Sequence, residues 1–293
     1  MGTGLLATLL RSARRAWFRA RGAWMRSGTR DYARRLGRVY LDWPWPGYLD
    51  RHRADTSPLR DDLATYEPLF VNSVRTFREV LGPHVRECRW PMARVWNRWF
   101  ESVDVELYYC MLRTFRPETV IEVGSGHSTR FAAEALRRNG RGRIVSIDPE
   151  PRIELSPEVE HIAARVETVD PSVFEALQPG DVLFIDSSHT AEEARFHVES
   201  LFPLLRPGVV CHHHDITFPW AVYPQDNLQT FGEVNVLLDF YLRERASFEV
   251  LTGAAYVRFA EPELVRRLVR SYRPGSDRIP ASLWTRKIAG GGG

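Results

Sequence analysis

The stretch from Val120 to Thr129 constrains the fold more than any other part of this chain. It reads Val-Ile-Glu-Val-Gly-Ser-Gly-His-Ser-Thr, so an apolar, β-branched run passes through a glycine-rich turn into a helix. Glycines at such a turn tolerate unusual backbone angles and let a ligand approach the backbone. The first N–H groups of the helix are free to bind that ligand. The pattern predicts a strand, a turn and a helix, with a nucleotide-like ligand at the strand tip.

Four further apolar runs continue this pattern. They lie at Gly142–Asp148, near Glu160–Val166, at Asp181–Asp186 and at Gly208–Asp215. Predicted helices fit between the runs at Ser128–Arg138, Pro171–Leu177 and Ala191–Leu205. The alternation predicts a doubly wound α/β fold, with helices on both faces of a parallel sheet and a site at the carboxyl ends of the strands.

Two rival nucleotide-binding patterns do not fit the chain. A nicotinamide-binding turn needs a third glycine where Thr129 stands, and no Gly-Lys-Ser/Thr of a Walker A loop occurs. Asp148 follows Gly126 by 22 residues, which suits an acid that accepts both hydroxyls of a ribose.

After the fifth strand, the runs Ser247–Thr252 and Ala254–Phe259, split by Gly253, predict an antiparallel hairpin that closes the sheet.

Together these segments resemble the class I S-adenosylmethionine-dependent methyltransferases. More narrowly, they are similar to the branch that contains small-molecule and sugar O-methyltransferases and cephalosporin-hydroxylase-like proteins. The matching segments are Glu122–Thr129, Ser146–Pro149, Asp181–His189 and Gly208–Ile216. The resemblance covers about residues 103–259 and implies a Rossmann-like, seven-stranded, mostly parallel sheet. Where the family often has Trp-Asn-Glu-Gln-Tyr, beside its acceptor pocket, this chain has Asp226–Asn235, which leaves the acceptor open.

The resemblance implies that S-adenosylmethionine is the cofactor and that residues at four strand tips bind it. These residues are Glu122, Gly124, Ser125, Gly126, Ser128, Asp148, Val169, Asp186 and Ser187. At Val169 we expect a backbone contact with adenine. The side chain of Asp170 is better suited to capping a helix, because Pro171 follows it at the first helical position.

The resemblance also implies the catalytic residues His189, His214 and Asp215. His189 is expected to act as a general base that removes the proton of the acceptor, because a histidine pKa is ordinarily about 6.5. Asp186, His214 and Asp215 could instead hold a divalent metal such as Mg²⁺ that binds the acceptor oxygens. The family's second acid beside Asp215 is Ile216 here, so a metal site and a metal-free hydrogen-bond network both stay open.

Composition excludes several classes of protein. The net charge of +3 includes seven arginines and no acid in residues 1–30, which leaves −4 for the rest of the chain. A body with that charge is not a basic nucleic-acid-binding domain. Three widely spaced cysteines without Cys-x-x-Cys exclude a disulfide framework and favour the cytoplasm.

We expect four regions along the chain. Residues 1–38 form a basic amphipathic helical segment, residues 39–102 a helical cap and linker, residues 103–260 the S-adenosylmethionine-binding catalytic domain, and residues 261–293 a C-terminal helix and tail. The first region carries an apolar stripe that lies on one helical face, made of Leu6, Leu10, Ala13, Trp17, Ala20 and Trp24. Such a segment either lies on an anionic membrane surface, here the inner one, or docks on the protein itself.

These expectations combine into one leading function. The chain is expected to be an enzyme that methylates an oxygen of a small molecule, sugar or lipid-linked glycan. Two alternatives stay open: a metal-dependent, hydroxylase-like relative on the same fold, and a membrane-surface binding protein with a vestigial site.

Overall fold

A computed structural model describes residues 67–97, 99–218, 233–273 and 280–288 of the chain. All of these residues belong to one compact unit, which spans residues 52–293. The amphipathic segment predicted at 1–38 lies outside the described residues. Most of the segment Asp226–Asn235, where the chain departs from the family pattern, lies outside them as well.

The strands of the described residues form one seven-stranded mixed sheet. They are β1 (Thr119–Val123), β2 (Arg143–Ile147), β3 (Val159–Ile162), β4 (Val182–Ile185), β5 (Val210–His213), β6 (Phe248–Gly253) and β7 (Leu283–Lys287). Their spatial order is β3-β2-β1-β4-β5-β7-β6, and β7 runs antiparallel to both of its neighbours while β1 to β5 are parallel. The predicted doubly wound, mostly parallel fold of seven strands is therefore confirmed.

The central strand β1 determines where a ligand can bind. Val123, its last residue, is level with Ile147 of β2 on one side and with Ile185 of β4 on the other. The chain returns from β3 across the sheet to β4, so the strand order reverses beside β1. In open α/β sheets a crevice forms at the carboxyl ends of the strands at such a reversal.

Helices cover the sheet and connect its strands. They are α1 (Ser73–His84), α2 (Met92–Val95), α3 (Asp104–Phe115), α4 (His127–Asn139), α5 (Ser172–Glu175), α6 (Ala191–Phe196), α7 (Glu233–Arg243), α8 (Ala254–Ala260) and α9 (Pro262–Leu268). Short 3₁₀ turns lie at Glu67–Phe70, Val85–Glu87 and Val166–Thr168. After α6 the chain continues through a π-helical turn, His197–Leu201, and a 3₁₀ turn, Phe202–Leu204.

The predicted hairpin after β5 is wrong in its second strand. The run Ala254–Phe259 lies in α8, and the antiparallel partner of β6 is β7. A short apolar run fits a buried helix as well as a strand, because periodicity does not separate the two. The last strand of the chain, β7, therefore lies in the region 261–293, which was predicted to be a helix and tail. Trp284 of this strand is fully buried.

Among the helices that the structure describes, none is both long enough and apolar enough to cross a membrane.

Candidate active site

Gly124 brings the tip of β1 against the tip of β4. Its φ is +85°, and a Cβ atom on it would lie 1.9 Å from the carbonyl oxygen of Asp186. The Asp186 N–H donates to the carbonyl of Val123 at 2.9 Å, which ties the two strand ends together. Both the backbone angle and the close approach require a residue without a side chain at this position.

The turn after Gly124 is fixed by hydrogen bonds at the start of α4. The Ser125 N–H donates to Asp148 Oδ2 at 2.8 Å, and the Ser125 hydroxyl contacts the hydroxyl of Ser146. The Gly126 N–H donates to Thr129 Oγ1 at 3.2 Å. Thr129, which stands where a nicotinamide-binding turn has glycine, therefore caps the helix. Ser128 is buried in the first turn of α4.

Glu122 is fully buried at the end of β1. Its Oε1 accepts a hydrogen bond of 2.8 Å from the hydroxyl of Tyr108, whereas Oε2 has no hydrogen-bond partner within the described residues. Burial raises the pKa of Glu122 to about 7, although the nearby hydroxyls of Thr129 and Tyr108 favour the charged form. A buried carboxylate with an open oxygen fits a cationic or hydrogen-donating ligand at this strand tip.

Asp148 lies at the tip of β2 with both oxygens held by the backbone. Besides the bond from Ser125, its Oδ1 accepts the N–H of Glu150 at 2.7 Å. These two hydrogen bonds fix the orientation of the Asp148 carboxylate at the strand tip. Asp170 accepts the N–H of Ser172, the first residue of α5, at 2.9 Å, but the N-cap residue of this helix is Pro171 and not Asp170 as predicted. Val169, which precedes it, is partly buried.

Asp186, His189 and Asp215 form a cluster at the tips of β4 and β5. One ligand atom from each lies within 4.8 Å of the other two. His189 Nε2 is 3.5 Å from Asp186 Oδ1 and 3.3 Å from Asp215 Oδ2. His189 and Asp215 both have left-handed backbone angles, with φ of 58° and 59°. Such angles cost a non-glycine residue about 1–3 kcal/mol and are common at functional sites.

Only one of the three consecutive histidines of β5 and its tip reaches this cluster. His214 Nδ1 lies 3.5 Å from Asp186 Oδ1 and 3.7 Å from Asp215 Oδ1. His212 lies on the same face of the strand as His214, and its ring stacks on that of Phe184 with the ring centroids 4.1 Å apart. Its Nε2 lies 2.9 Å from Ser282 Oγ. His213 packs on the opposite face, against Phe202.

The cluster holds both imidazoles in the charged form. Burial alone would lower the pKa of His189, but Glu233, Asp215 and Asp186 together raise that pKa to about 10. The pKa of His214 is also raised well above its ordinary value, because Asp186 and Asp215 outweigh burial. Burial would raise the pKa of Asp186, yet the imidazoles lower it. In this state His189 is a hydrogen-bond donor at neutral pH and cannot take up a further proton.

Two acids that the sequence analysis missed hold the far sides of these imidazoles. Glu233 Oε1 lies 2.5 Å from His189 Nδ1, and Asp104 Oδ2 lies 3.6 Å from His214 Nε2. Asp104 also accepts the N–H groups of Ala281 at 3.0 Å and Ser282 at 2.9 Å. Both acids are buried in the first turn of a helix, Asp104 in α3 and Glu233 in α7. No local motif marks Asp104, whereas Glu233 belongs to the segment Asp226–Asn235, whose place beside the family's acceptor pocket could have identified it.

Glu193 holds the turn that carries His189. The hydroxyls of Ser187 and Ser188 both donate to its carboxylate, and its own N–H donates to Thr190 Oγ1 at 3.2 Å. Burial opposes the charge of Glu193, but His197 and the two hydroxyls lower its pKa to about 2. The Ser187 side chain, predicted to bind the cofactor, is therefore occupied within the turn.

An arginine–tryptophan pair borders the glycine turn. The Arg152 N–H donates to the Ser125 carbonyl at 3.2 Å, and Arg152 Cζ lies 3.7 Å from the ring centroid of Trp99. The carboxylates of Asp186, Asp148 and Asp215 attract its guanidinium. A positive group from outside the strand tips therefore offsets part of the negative charge of the site.

The donor set of the cluster fits a divalent cation. Carboxylate oxygens suit Mg²⁺ and imidazole nitrogens suit transition metals, so two carboxylates with one imidazole could bind either kind. Within the described residues, the three ligand atoms that lie within 4.8 Å of one another belong to Asp186, Asp215 and His189, whereas the sequence predicted His214 as the third ligand. His214 nonetheless contacts both carboxylates through Nδ1.

Comparison with known proteins adds a family match. Residues 121–216, which run from β1 past β5, match a family model described as a methyltransferase domain. Among curated proteins, none matches the chain.

Several solved methyltransferase structures are similar to the chain at low identity. An O-methyltransferase from Bacillus cereus in complex with SAH is 17% identical over 73% of this chain and 90% of its own, with a TM-score of 0.41. TomG from Streptomyces achromogenes, in complex with SAM, is 13% identical over 73% and 90%, with a TM-score of 0.42. MycE of the mycinamycin pathway, in complex with Mg, SAH and mycinamycin VI, is 17% identical over 70% and 57%, with a TM-score of 0.40.

The family match covers the glycine turn, Asp148 and the cluster at β4 and β5. It agrees with the seven-stranded sheet and with the arrangement of these residues at its carboxyl ends. The match agrees with the sequence prediction: residues 121–216 match a methyltransferase domain, and they lie on the predicted seven-stranded sheet.

Proposed function

We propose that the protein transfers a methyl group from S-adenosylmethionine to an oxygen of a small molecule, sugar or lipid-linked acceptor. The observation that carries this proposal is the cluster of Asp186, His189 and Asp215. It lies directly beside the glycine turn, because the backbone of Asp186 touches Gly124. An acceptor hydroxyl bound at the cluster is thereby next to the cofactor site.

The cofactor half of the site is assigned to the tips of β1 to β4. S-adenosylmethionine supplies a methyl group on a positively charged sulfur. The open oxygen of Glu122 is available to a positive or hydrogen-donating part of the cofactor, and Asp148 to the ribose hydroxyls. Ser125 and Gly126 lie in the turn before α4 and Ser128 in its first turn, where the first N–H groups of the helix would complete the binding surface.

The acceptor half must orient a hydroxyl and remove its proton. His189 can act as the base only when another positive charge neutralises the surrounding carboxylates, since these carboxylates keep it protonated. A divalent cation such as Mg²⁺, held by Asp186, Asp215 and His214, would supply that charge and acidify the bound hydroxyl. If His189 were the third ligand instead, it would hold the cation and would not be the base. Without the cation, both imidazoles hold the acceptor oxygen as hydrogen-bond donors.

Product mass tests the proposed function. The protein is incubated with S-adenosylmethionine and a panel of catechols, sugars, polyols and lipid-linked glycans, with and without Mg²⁺. We expect one acceptor class to gain about 14 mass units, in an amount equal to the S-adenosylhomocysteine formed. His189→Ala is the control variant. A gain of about 16 mass units would show hydroxylation and contradict the proposal. Equal product after exhaustive chelation would contradict the metal while leaving the methyl transfer intact.

The N-terminal segment bears on the acceptor. Its stripe and seven arginines favour contact with an anionic membrane surface, which would suit a lipid-linked acceptor. Flotation with anionic vesicles tests this idea: the full chain should rise with the vesicles and a variant without residues 1–38 should not. Equal behaviour of the two proteins would contradict the membrane contact and favour docking of the segment on the protein.

A further inference from the structure

We propose that Glu233 is a positioning residue of the methyl-transfer site, which holds the Nδ1 side of His189 so that Nε2 faces Asp186 and Asp215. The proposal rests on the proposed function, because it concerns how His189 is presented to the acceptor. It is independent of whether His189 acts as a base or as a metal ligand, since both roles use the nitrogen that faces the cluster.

The contacts on the two sides of the imidazole differ. On one side, Nδ1 lies 2.5 Å from Glu233 Oε1. On the other side, Nε2 lies 3.3 Å from Asp215 Oδ2 and 3.5 Å from Asp186 Oδ1. The Glu233 side chain is only 4% exposed, against 29% for Asp215. The buried Glu233 therefore holds the ring at Nδ1, whereas Nε2 faces the more accessible Asp186 and Asp215, where an acceptor or a metal would bind.

The fold supplies Glu233 from a separate element. Glu233 is the first residue of α7, and His189 lies two residues before α6. The helices α6 and α7 pack against each other, and α7 buries Val234, Leu237 and Tyr241. The hydrogen bond thus joins the starts of two packed helices. A carboxylate in the first turn of a helix is also favoured by the helix dipole.

Glu233 differs from the corresponding acid behind His214. Asp104 accepts two backbone N–H groups at the start of β7 as well as facing His214, so its loss would disturb the sheet. Within the described residues, the side chain of Glu233 has one hydrogen-bond partner, His189. His189 itself sits in a left-handed turn, and its backbone alone does not fix the rotation of its ring. Removal of the Glu233 carboxylate should therefore free the ring without unfolding the protein.

The first test observes the ring directly and needs no acceptor. In protein with ¹⁵N-labelled histidine, NMR should show a hydrogen-bonded Nδ1–H signal that His189→Asn identifies by its loss. We expect Glu233→Gln to retain the signal, because its amide oxygen still accepts the bond, and Glu233→Leu to lose it. Asp239→Leu, at an exposed position of the same helix, should retain it. An unchanged signal in Glu233→Leu would overturn the proposal.

The second test measures coupling between the two residues. We expect Glu233→Leu to lower kcat by roughly 10- to 100-fold, the usual loss when a residue that orients a histidine is removed. The acceptor KM and the affinity for S-adenosylhomocysteine should change by less than about twofold, and Glu233→Gln should recover most of kcat. In a His189→Ala background, Glu233→Leu should add nothing further.

The two tests separate failure of this proposal from failure of the proposed function. If the losses of Glu233→Leu and His189→Ala multiply in the double variant, Glu233 does not act through His189, and the proposal is overturned. A protein that transfers no methyl group to any acceptor would contradict the proposed function. The NMR signal would still decide whether Glu233 positions the ring.

Discussion

The two halves of the proposed active site are built in different ways. The cofactor half lies between Glu122 and Asp148, and its geometry comes mainly from backbone groups, such as the Ser125 N–H on Asp148. The acceptor half consists of charged side chains at β4 and β5, supported by Asp104 and Glu233 from distant helices. Local sequence therefore specifies the first half, whereas the complete fold assembles the second.

The two halves also balance charge differently. At Asp148 neutral backbone N–H groups bind the carboxylate oxygens. At the cluster, the carboxylates of Asp186 and Asp215 face imidazoles that they keep protonated. The two halves should therefore respond to different ranges of pH, because the pKa of Glu122 in the cofactor half is about 7 and that of His189 in the acceptor half is about 10.

Gly124→Ala should have the largest effect, because it pushes the two halves apart. The new Cβ would lie 1.9 Å from the Asp186 carbonyl, in a backbone conformation that alanine rarely adopts. We expect the free energy of unfolding in denaturant to fall by roughly 3 kcal/mol or more. Gly126→Ala is the matched control, since its Cβ would meet only the Arg152 side chain, at 3.7 Å or more. Equal stability of the two variants would show that the strand ends are not in contact.

His189→Ala should damage the acceptor half alone. Loss of a general base typically lowers turnover by about 100- to 10,000-fold. The affinity for S-adenosylhomocysteine, measured by calorimetry, should stay within about twofold of the wild type. Turnover equal to that of the wild type would remove His189 from the mechanism.

Asp148→Ala should damage the cofactor half alone. Loss of hydrogen bonds from a charged acceptor should weaken binding of S-adenosylhomocysteine by about 1–3 kcal/mol. Turnover at saturating cofactor should change little. Asp170→Ala serves as the control, because the Asp170 carboxylate binds Ser172 and is not assigned to the cofactor. If both variants bind S-adenosylhomocysteine equally well, Asp148 does not bind the ribose.

Glu122→Gln should give the smallest effect and should depend on pH. In the folded protein the pKa of Glu122 is raised from 4.5 to about 7, so the folded state binds this proton more tightly than the unfolded state. The resulting stability is present below pH 4.5 and is lost as the pH rises through 7. Between pH 6 and pH 7 we expect the wild type to lose about 1 kcal/mol more unfolding free energy than Glu122→Gln. Parallel pH profiles in thermal or denaturant unfolding would contradict the burial of this carboxyl.

The sequence predicts the cofactor half well because each of its elements is specified by residues that are close together in the sequence. Strands β1 to β5, the glycine turn and the place of Asp148 at a strand tip all follow from local patterns. The strand β7 does not, because Leu-Trp-Thr-Arg-Lys is short, and an earlier apolar run, now α8, fitted the same place in the sheet.

The chemistry of the acceptor half depends on groups that meet only in the fold. The sequence identifies Asp186, His189, His214 and Asp215 through their resemblance to a family, but it gives no charge for either imidazole. That charge comes from acids that outweigh the effect of burial: Glu233, which is 44 residues from His189 in the chain, and Asp215 and Asp186 beside both imidazoles. Asp104 adds to it at His214. The ordinary histidine pKa of about 6.5 was therefore a poor guide to His189.

The central claim is that two separate halves bind the cofactor and activate the acceptor. Its most direct test measures single-turnover methyl transfer at saturating acceptor, across a range of S-adenosylmethionine concentrations, in Asp148→Ala, His189→Ala and the double variant. We predict that Asp148→Ala changes only the cofactor concentration needed for half-maximal rate, that His189→Ala changes only the maximal rate, and that the double variant shows both changes in full. A loss of maximal rate in Asp148→Ala comparable to that in His189→Ala, or a double variant no worse than either single one, would contradict the account.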